Sequence, residues 1–344
     1  MKQFACTLVA LAAAVALAAC GSDDSDSASA GSGTGTAAAS ADTQAAATGE
    51  TTKLKMLSVP YFGLERIASD QGIFARHGLD VEYVDQTQQG LAGIQAVLAG
   101  QVDTGQSFGA FVPIETNARG GRLKAVVSGA TSSYGENRFY VRSDSPIASC
   151  EDFDGKKVGI VAPGSMGDIV LKAYLQRCGL TTRDVQLLSV PPNTMCQSLD
   201  RGQVDVVGML STSWGPCEES RRGAIRALFA DKDVLPTDTL YAAYDFTDRF
   251  IDENPQTVRS FVAAIKEAAA FVEAEPEQAR EIIATTTRIP ARLLVVPDYP
   301  AGNCIDATAA GEWVSALETI RDIEPGSVGA DAWFTNEFNA DCDG

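Results

Sequence analysis

The chain has 344 residues, of which 45 are acidic and 27 are basic, so its formal net charge at pH 7 is −18. A surface this acidic argues against nucleic-acid binding, which depends on neutralising phosphate groups. His77 is the single histidine and no Cys-x-x-Cys pair occurs, so a Ser-His-Asp or Cys-His catalytic site and a zinc site are disfavoured as well. We therefore expect no enzyme, no metal and no cofactor.

The amino terminus has the pattern of an exported lipoprotein. An apolar run over residues 4–19 is about the length of a signal-peptide core and short for a membrane span. It ends in Leu17-Ala18-Ala19-Cys20-Gly21, which resembles a bacterial lipobox. The resemblance implies a signal peptide over residues 1–19 and lipid on Cys20, which anchors the protein to the outer face of the cell membrane. The alternative is ordinary cleavage that leaves Cys20 free.

Residues 20–52 are predicted to be a disordered tether. After Cys20 they are almost wholly Gly, Ser, Ala, Thr and Asp, with no aromatic and no large aliphatic side chain. Such a segment cannot bury enough apolar surface to offset the entropy lost on ordering. The folded part is therefore expected to begin at residue 53.

Strands and helices alternate at the start of the folded part. The apolar run Leu54–Val59 predicts a buried strand, residues 64–74 a helix, and residues 79–84 a strand, while a helical pattern after residue 90 stops at Gly100. This alternation implies a mainly parallel sheet, in which the loops at the carboxyl ends of strands form the ligand site. Those loops, 61–63, 86–90 and 106–110, supply the candidate ligand contacts Tyr61, Phe62, Ser107 and Phe108.

Three short motifs in this region occur in the order and spacing of a known family. They are Gln71-Gly72-Ile73-Phe74, Gly78-Leu79-Asp80-Val81 and Leu98-Ala99-Gly100-Gln101-Val102-Asp103. The segment from Tyr61 to Gly120 thereby resembles the solute-binding subunits of ABC importers for nitrate, alkanesulfonates, taurine and thiamine-precursor pyrimidines. The resemblance implies an α/β, two-lobed periplasmic-binding-protein fold of type II. Each lobe would be a mainly parallel sheet flanked by helices, with the ligand cleft between the lobes.

The second lobe is expected over residues 141–239, which makes the first lobe discontinuous (53–140 and 240–344). A strand ending at Val161 is followed by a Gly-rich turn that opens a helix. The free N–H groups and dipole of such a turn favour an anion, so Gly164, Ser165 and Met166 are candidate ligand contacts. The alternative for Ser165 is that it only caps its own helix.

An internal repeat links the two lobes. Gly202-Gln203-Val204-Asp205 echoes Gly100-Gln101-Val102-Asp103, and each motif is predicted to lie between a helix and a strand that leads to a site loop. In the second lobe that loop is 210–216, with the candidate contacts Ser211, Ser213 and Trp214. The indole of Trp214 is interpreted as a wall for an apolar ligand portion, and the alternative is packing against a neighbouring disulfide of Cys217.

The chain then returns to the first lobe. Residues 239–247 are read as the second crossover, and two crossovers near 140 and 240 predict a hinge. Residues 256–273 have one apolar face and predict a long helix, 276–285 a shorter one, and 310–340 a largely helical end.

The cysteines predict disulfides. The chain has eight, and six remain when Cys6 leaves with the signal peptide and Cys20 takes the lipid. An even number in an exported domain is typical of disulfides, although six cysteines allow 15 pairings. The expected topology favours Cys150–Cys178, Cys196–Cys217 and Cys304–Cys342.

The sequence therefore predicts a monomeric solute-binding lipoprotein that works with the permease and ATPase of an ABC importer. The turn at 164–167 and nearby hydroxyl groups favour a small organic anion of the alkanesulfonate or taurine kind. The absence of arginine from the predicted site loops, with Arg138 the nearest, keeps a neutral pyrimidine or flavin as an alternative. Another alternative is a membrane-tethered sensor that does not feed a transporter. The related yeast family that makes the thiamine pyrimidine and consumes its own histidine is disfavoured, because His77 is predicted at a helix end.

Overall fold

The computed structural model describes residues 51–58, 62–85, 91–131, 135–236, 240–321 and 323–342, all within one compact unit, residues 47–344. The predicted signal peptide, the lipid on Cys20, the tether, Tyr61 and loop 86–90 lie outside the described residues. Within these ranges, no helix combines the length and apolar character that a membrane span needs.

In the described part of the chain, ten strands are formed by short runs that are mostly β-branched or apolar. They are β1 Thr52–Ser58, β2 Leu79–Asp85, β3 Gly105–Phe108, β4 Leu123–Thr131, β5 Arg138–Arg142, β6 Lys157–Ile160, β7 Gln186–Ser189, β8 Val206–Met209, β9 Ile225–Ala230 and β10 Leu240–Thr247.

The helices fall mostly between these strands. They are α1 Leu64–Asp70, α2 Ile73–Arg76, α3 Leu91–Leu98, α4 Phe111–Ala118, α5 Met166–Gln176, α6 Met195–Asp200, α7 Ser211–Ser220, α8 Asp248–Glu253, α9 Pro255–Ala274, α10 Pro276–Thr287 and α11 Ala307–Ile320.

Two sheets share one strand order. In the first sheet, β1 pairs in parallel with β2, and a parallel bridge between Met56 and Thr104 joins β1 to the start of β3. Strand β10 runs antiparallel between β3 and β4, which gives the order β2-β1-β3-β10-β4. The second sheet has the order β7-β6-β8-β5-β9, and β5 is its antiparallel strand. Both sheets are thus mainly parallel, as predicted.

Each antiparallel strand is a crossover. Strand β5 leads the chain into the second sheet and β10 returns it to the first, so both crossovers are also part of a sheet. The second sheet starts at Arg138, three residues before the predicted start of the second lobe. Residues 333–335 continue the first sheet beyond β4, because Ala125 forms a parallel bridge with Phe334.

The repeat predicted from the Gly-Gln-Val-Asp motifs is present in atomic detail. The N–H of Lys55 donates to Asp103 Oδ2 at 2.7 Å, and the N–H of Lys157 donates to Asp205 Oδ2 at 2.9 Å. Corresponding residues of the two halves are 102 positions apart (157 − 55 and 205 − 103). In each motif the glycine has φ near +67°, the left-handed region that glycine adopts without strain. The motif therefore ends a helix and holds the strand that contains the lysine, β1 in the first sheet and β6 in the second.

The apolar face predicted for the long helix is confirmed. Helix α9 buries it against α1 and the first sheet, and each large aliphatic or aromatic side chain removed from water there contributes about 1.5–3 kcal/mol. The buried positions are Val258, Phe261, Val262, Ile265, Ala269 and Val272.

All three predicted disulfides are formed: Cys150–Cys178, Cys196–Cys217 and Cys304–Cys342. Their Cα atoms are 6.0, 5.7 and 5.6 Å apart, the separation a disulfide needs. The first two hold the second half of the chain, and the third ties the C-terminal residues to the start of α11.

Three predicted elements differ from the structure. The helix predicted over 64–74 is two helices, because Gly72 takes φ +63° and breaks it. Residues 211–216 are not a loop but the start of α7, with Pro216 inside the helix. The C-terminal helix ends at Ile320, and the described residues 323–342 form no further helix.

Candidate ligand-binding site

The carboxyl ends of the two sheets meet at Gly109 and Met166. Gly109 follows β3 with φ +88°, and a Cβ atom there would lie 2.3 Å from Met166 Cε. Met166, a predicted ligand contact, is the first residue of α5 and is buried by this approach. The loop ends predicted to hold a ligand are therefore brought face to face.

The Gly-rich turn after β6 is bonded to its own helix. The N–H of Gly164 donates to Asp168 Oδ2 at 2.9 Å, and Ser165 Oγ accepts the N–H of Asp168 at 3.4 Å. Ser165 thus caps α5, which was the alternative interpretation of this residue. The turn therefore already binds a carboxylate of the chain itself, that of Asp168.

Asp168 belongs to a buried ion-pair cluster that joins both halves. Its carboxylate lies 3.0 Å from Lys172 Nζ and 3.2 Å from Arg321 Nη1. Arg321, which follows α11, also binds Glu115 of α4 in a bidentate pair, with Nε–Oε1 2.5 Å and Nη2–Oε2 3.0 Å. An acid from each half of the chain therefore shares one guanidinium group. Sequence reasoning missed this cluster, although Asp168 stands at the third helical position, where an acid is favoured.

Trp214 is enclosed by protein. Its side chain is 6% exposed and packs in one apolar cluster with Cys217, and its Nε1–H donates to the carbonyl oxygen of Glu136 at 3.1 Å. The guanidinium of Arg138 lies 3.7 Å above its ring. This is the packing that was the alternative to a ligand wall, and Arg138, the nearest predicted counter-charge, is engaged with the indole.

The start of α7 also holds a carboxylate of the chain. The N–H of Ser211 donates to Glu136 Oε1 at 3.3 Å, and Glu136 is buried in the first crossover. Ser213 lies half-buried one turn along. In the first half, Phe62 is half-buried and packs against the apolar core that includes α1. Ser107 and Phe108 are the last two residues of β3.

Glu65 is a buried acid that sequence reasoning missed. It lies in the first turn of α1, and its Oε2 accepts the hydroxyl hydrogen of Tyr244 at 2.6 Å. Burial raises the pKa of the Glu65 carboxyl. Gly63 makes room for this group, because a Cβ atom at that position would lie 2.2 Å from both carboxylate oxygens.

The two crossovers are tied side by side. The side-chain amide of Asn137, beside β5, donates to the hydroxyl of Tyr241 in β10 at 2.8 Å. The N–H of Asn137 donates to Asp231 Oδ2 at 3.0 Å, and the N–H of Asp231 returns a bond to the carbonyl of Asn137 at 2.9 Å. Burial raises the pKa of Asp231 to about 6. These bonds surround the predicted hinge.

The segment 291–299 contacts both halves. The carbonyl oxygen of Leu293 approaches α7 at Gly215, where a Cβ atom would lie 3.0 Å away, and Val295 packs on the Trp214 cluster. Leu294 is buried in the core of the first sheet, and the N–H of Thr131 donates to the carbonyl of Asp298 at 2.9 Å. The segment therefore spans the same region as the site loops.

Comparisons with known proteins agree with this geometry. The fold is that of the periplasmic binding proteins: the periplasmic aliphatic sulphonate binding protein SsuA from Escherichia coli matches with a TM-score of 0.66 and 20% identity, covering 83% of this chain and 92% of that chain. Residues 60–279 match the family model described as NMT1/THI5 like. The chain belongs to the NMT1/THI5-like family, as the three sequence motifs predicted.

Curated relatives of two kinds match. A candidate binding protein of Brucella abortus (strain 2308) is 30% identical over 231 residues, which are 67% of this chain and 69% of that protein. THI11, a 4-amino-5-hydroxymethyl-2-methylpyrimidine phosphate synthase of Saccharomyces cerevisiae (strain ATCC 204508 / S288c), is 24% identical over 240 residues, 67% of this chain and 68% of that protein. The family thus holds both binding proteins and enzymes.

Proposed function

We propose that this chain is the extracytoplasmic solute-binding lipoprotein of an ABC importer. The observation that carries the proposal is the pair of sheets with one strand order, whose carboxyl ends meet at Gly109 and Met166. A ligand enters between two lobes, residues 53–140 with 240–344 and residues 141–239, and closure about the crossovers buries it. The closed form then docks on the permease.

The predicted export and anchoring support this location. A signal peptide over 1–19 and lipid on Cys20 would place the folded unit outside the cytoplasm, with the tether 20–52 giving it reach over the membrane. Three disulfides suit an oxidising compartment. We expect the protein to act as a monomer.

We propose that the protein is not an enzyme. His77 is the C-cap residue of α2, and its Nε2 lies 2.8 Å from Glu267 Oε2 of α9. The single histidine thus contacts a carboxylate of α9, at the end of a helix that follows the site loop. The described cluster of metal-ligand type, Cys150, Glu151 and Cys178, contains two cysteines that are joined in a disulfide.

The cleft is proposed to be lined by the residues predicted from the sequence. They are Tyr61, Phe62, Ser107, Phe108, Gly164, Ser165, Met166, Ser211, Ser213 and Trp214. For the ligand, the geometry supports a nitrogen heterocycle better than the organic anion favoured by the sequence. The N–H groups of Gly164 and Ser211 already bond to the carboxylates of Asp168 and Glu136, so these two donors are occupied and do not call for a ligand anion.

A thermal-shift panel on the mature protein tests the binding function. Pyrimidines, flavins, alkanesulfonates, taurine and aromatic carboxylates are each added in excess. A ligand at 100 times its Kd stabilises the folded state by about 2.7 kcal/mol, which raises the Tm by about 4–5 °C for a folded part of this size. Stabilisation by a heterocycle is expected. Stabilisation by sulfonates alone would keep the binding function and overturn the ligand class.

Transport is tested separately from binding. The purified protein is added to proteoliposomes that hold a permease and ATPase encoded beside its gene. Ligand-dependent stimulation of ATP hydrolysis is expected. Binding without any stimulation would favour the membrane-tethered sensor.

A further inference from the structure

We propose that Glu65 determines the charge of the ligand, and that the ligand presents a protonated nitrogen, such as an amine, an amidinium or a protonated heterocycle, to its carboxylate. This inference rests on the proposed solute-binding function and names the ligand class for the same cleft. Glu65 lies directly after the predicted site loop 61–63 and is wholly buried in the first turn of α1.

One oxygen of the Glu65 carboxylate is satisfied and the other is not. Tyr244 donates its hydroxyl hydrogen to Oε2, while Oε1 is buried and has no hydrogen-bond partner among the described residues. A buried polar oxygen without a partner costs about 1–3 kcal/mol, and more if it carries charge. The site therefore lacks a donor at Oε1.

The surrounding bonds leave Oε1 of Glu65 without a partner in either protonation state. The hydroxyl oxygen of Tyr244 already accepts the N–H of Glu65 at 3.3 Å and the amide of Gln106 at 3.4 Å, so its own hydrogen goes to Oε2. If Glu65 is ionised, Oε1 has lone pairs and no donor. If it is protonated, Oε1 carries a hydrogen with no acceptor. A ligand N–H⁺ group resolves the first case, because it brings both the missing hydrogen and the compensating charge.

Tyr299 supplies a second unsatisfied atom beside Glu65. Its hydroxyl is buried and has no partner among the described residues. Burial, and then the charge of Glu65, raise the pKa of this hydroxyl well above its usual value, so it keeps its hydrogen. Tyr299 lies in segment 291–299, Gln106 in β3 and Tyr244 in β10. Three separate parts of the chain thus converge on one carboxylate.

Burial raises the pKa of the Glu65 carboxyl and the positive charge of Arg66 lowers it in part, but no described side chain hydrogen-bonds to Oε1. The guanidinium of Arg66 lies over the ring of Tyr83 at 4.1 Å, and the Tyr83 hydroxyl donates to the backbone carbonyl of Glu65 at 2.8 Å. In the second half, Lys172 and Arg321 are paired with Asp168.

Matched compound pairs test the inference on the full mature protein. Benzylamine, benzamidine and 4-aminopyridine are each compared with a neutral partner of similar shape: benzyl alcohol, benzamide and 4-methylpyridine. Benzoate and benzenesulfonate complete the panel. Binding is measured by thermal shift and by titration calorimetry. At least one cation is expected to bind about 10–100-fold tighter than its neutral partner.

Three variants separate the role of Glu65 from a structural one. Glu65→Gln keeps the shape and removes the charge, so it should abolish the preference for the cation. Tyr244→Phe removes the bond to Oε2 and the acceptor of the Glu65 N–H and the Gln106 amide but leaves the carboxylate, so it should keep that preference. Glu267→Gln, which lies in the ion pair with His77, is the matched control and should bind as the natural protein does.

Each remaining outcome overturns the inference. Binding of neutral or anionic compounds in preference to cations would do so while leaving the solute-binding function intact. A Glu65→Gln variant that folds and still prefers the cation would show that another group reads the charge. No stabilisation by any compound of either panel would count against both the inference and the proposed function.

Discussion

The two halves of the chain share a scaffold and differ in what they attach to it. Lys55 with Asp103 and Lys157 with Asp205 form the same bond, in β1 of the first sheet and in β6 of the second. Helix α1 begins at Leu64 and α5 at Met166, again 102 positions apart (166 − 64). The repeated contacts therefore set the backbone, and the positions that depart from the repeat show where each half has its own task.

The departures are largest beside the cleft. Gly63 of the first half corresponds to Ser165 of the second. Gly63 leaves room for the Glu65 carboxylate, whereas Ser165 caps a helix whose acid, Asp168, is paired with Lys172 and Arg321. The first half thus keeps an open acceptor and the second has closed its own. If Glu65 reads the charge of the ligand, as proposed, ligand discrimination lies in the first half.

A second departure concerns how neighbouring helices are held. Cys196 and Cys217 join α6 to α7, and the corresponding residues of the first half are Ile94 and Glu115. There Glu115 binds Arg321 instead. The second half has a disulfide at the positions where the first half has a buried isoleucine and an ion-paired glutamate. The stabilisation that the disulfide and the ion pair provide can therefore be compared by substitution.

The largest effect is expected from removing Arg321. Arg321→Met leaves Glu115 and Asp168 buried without their shared cation, so the free energy of unfolding should fall by about 3–5 kcal/mol. Urea unfolding measures it. Arg142→Met, which breaks an exposed pair with Asp144, is the control and should cost no more than about 1 kcal/mol. Equal losses in both variants would show that the buried cluster does not hold the halves together.

The disulfide Cys196–Cys217 should contribute somewhat less to the free energy of unfolding. Replacing Cys196 and Cys217 by Ser opens a loop of 21 residues, and we expect a loss of about 3 kcal/mol. Thermal unfolding by calorimetry follows the change. The matched double variant at Cys304 and Cys342 should lose a similar amount, since loop length enters only as a logarithm. Peptide mapping that finds free thiols in the natural protein would refute the pairing.

The two halves should also differ in how their stability depends on pH, because of Asp231. It corresponds to Gly129 of the first half, so only the second half has a titrating group here. Burial raises its pKa from 3.8 to about 6 in the folded state. Its stabilising contribution is therefore complete below pH 4 and lost as the pH rises to about 6. Relative to Asp231→Asn, the natural protein should lose roughly 2–3 kcal/mol of unfolding free energy between pH 4 and 6.5. A pH-independent difference between the two proteins would contradict this.

The smallest effect tests the repeat itself. Asp103→Ala and Asp205→Ala each remove one bond to a backbone N–H at a partly exposed position, so each should cost about 1 kcal/mol. Chemical unfolding of both variants and of the matched Asn variants measures this. Losses of unfolding free energy that differ several-fold between the Asp103 and Asp205 variants would show that the two motifs do not stabilise their sheets equally.

Sequence reasoning succeeded where the pattern is local or repeated. The Gly-Gln-Val-Asp motifs, the apolar face of α9 and the alternation of strands and helices are each visible within a few turns of chain. The disulfide pairing followed from which sheet edge each cysteine faces. These features carried the family and the fold.

The candidate site was only partly predictable, because its polar pairs join distant residues. Glu65 meets Tyr244 across 179 positions, and Asp168 meets Arg321 across 153. No local pattern marks such pairs. The loop predicted at 210–216 was wrong for another reason, since Gly215 and Pro216 are residue types that are common in turns. In the structure Gly215 lies inside α7 and admits the close approach of Leu293.

The place of β10 has a consequence for the order in which the protein folds. The second sheet is built from residues 138–230 in one stretch, whereas the first sheet is completed only by β10, which leaves the ribosome after all of the second. Until then β3 and β4 present unpaired edges, which are prone to association with other chains. We expect the second sheet to be the folding nucleus, with amide protection in β6 and β8 preceding that in β3 during refolding. Export of the chain amino end first would therefore hold the ligand-discriminating half unfinished the longest.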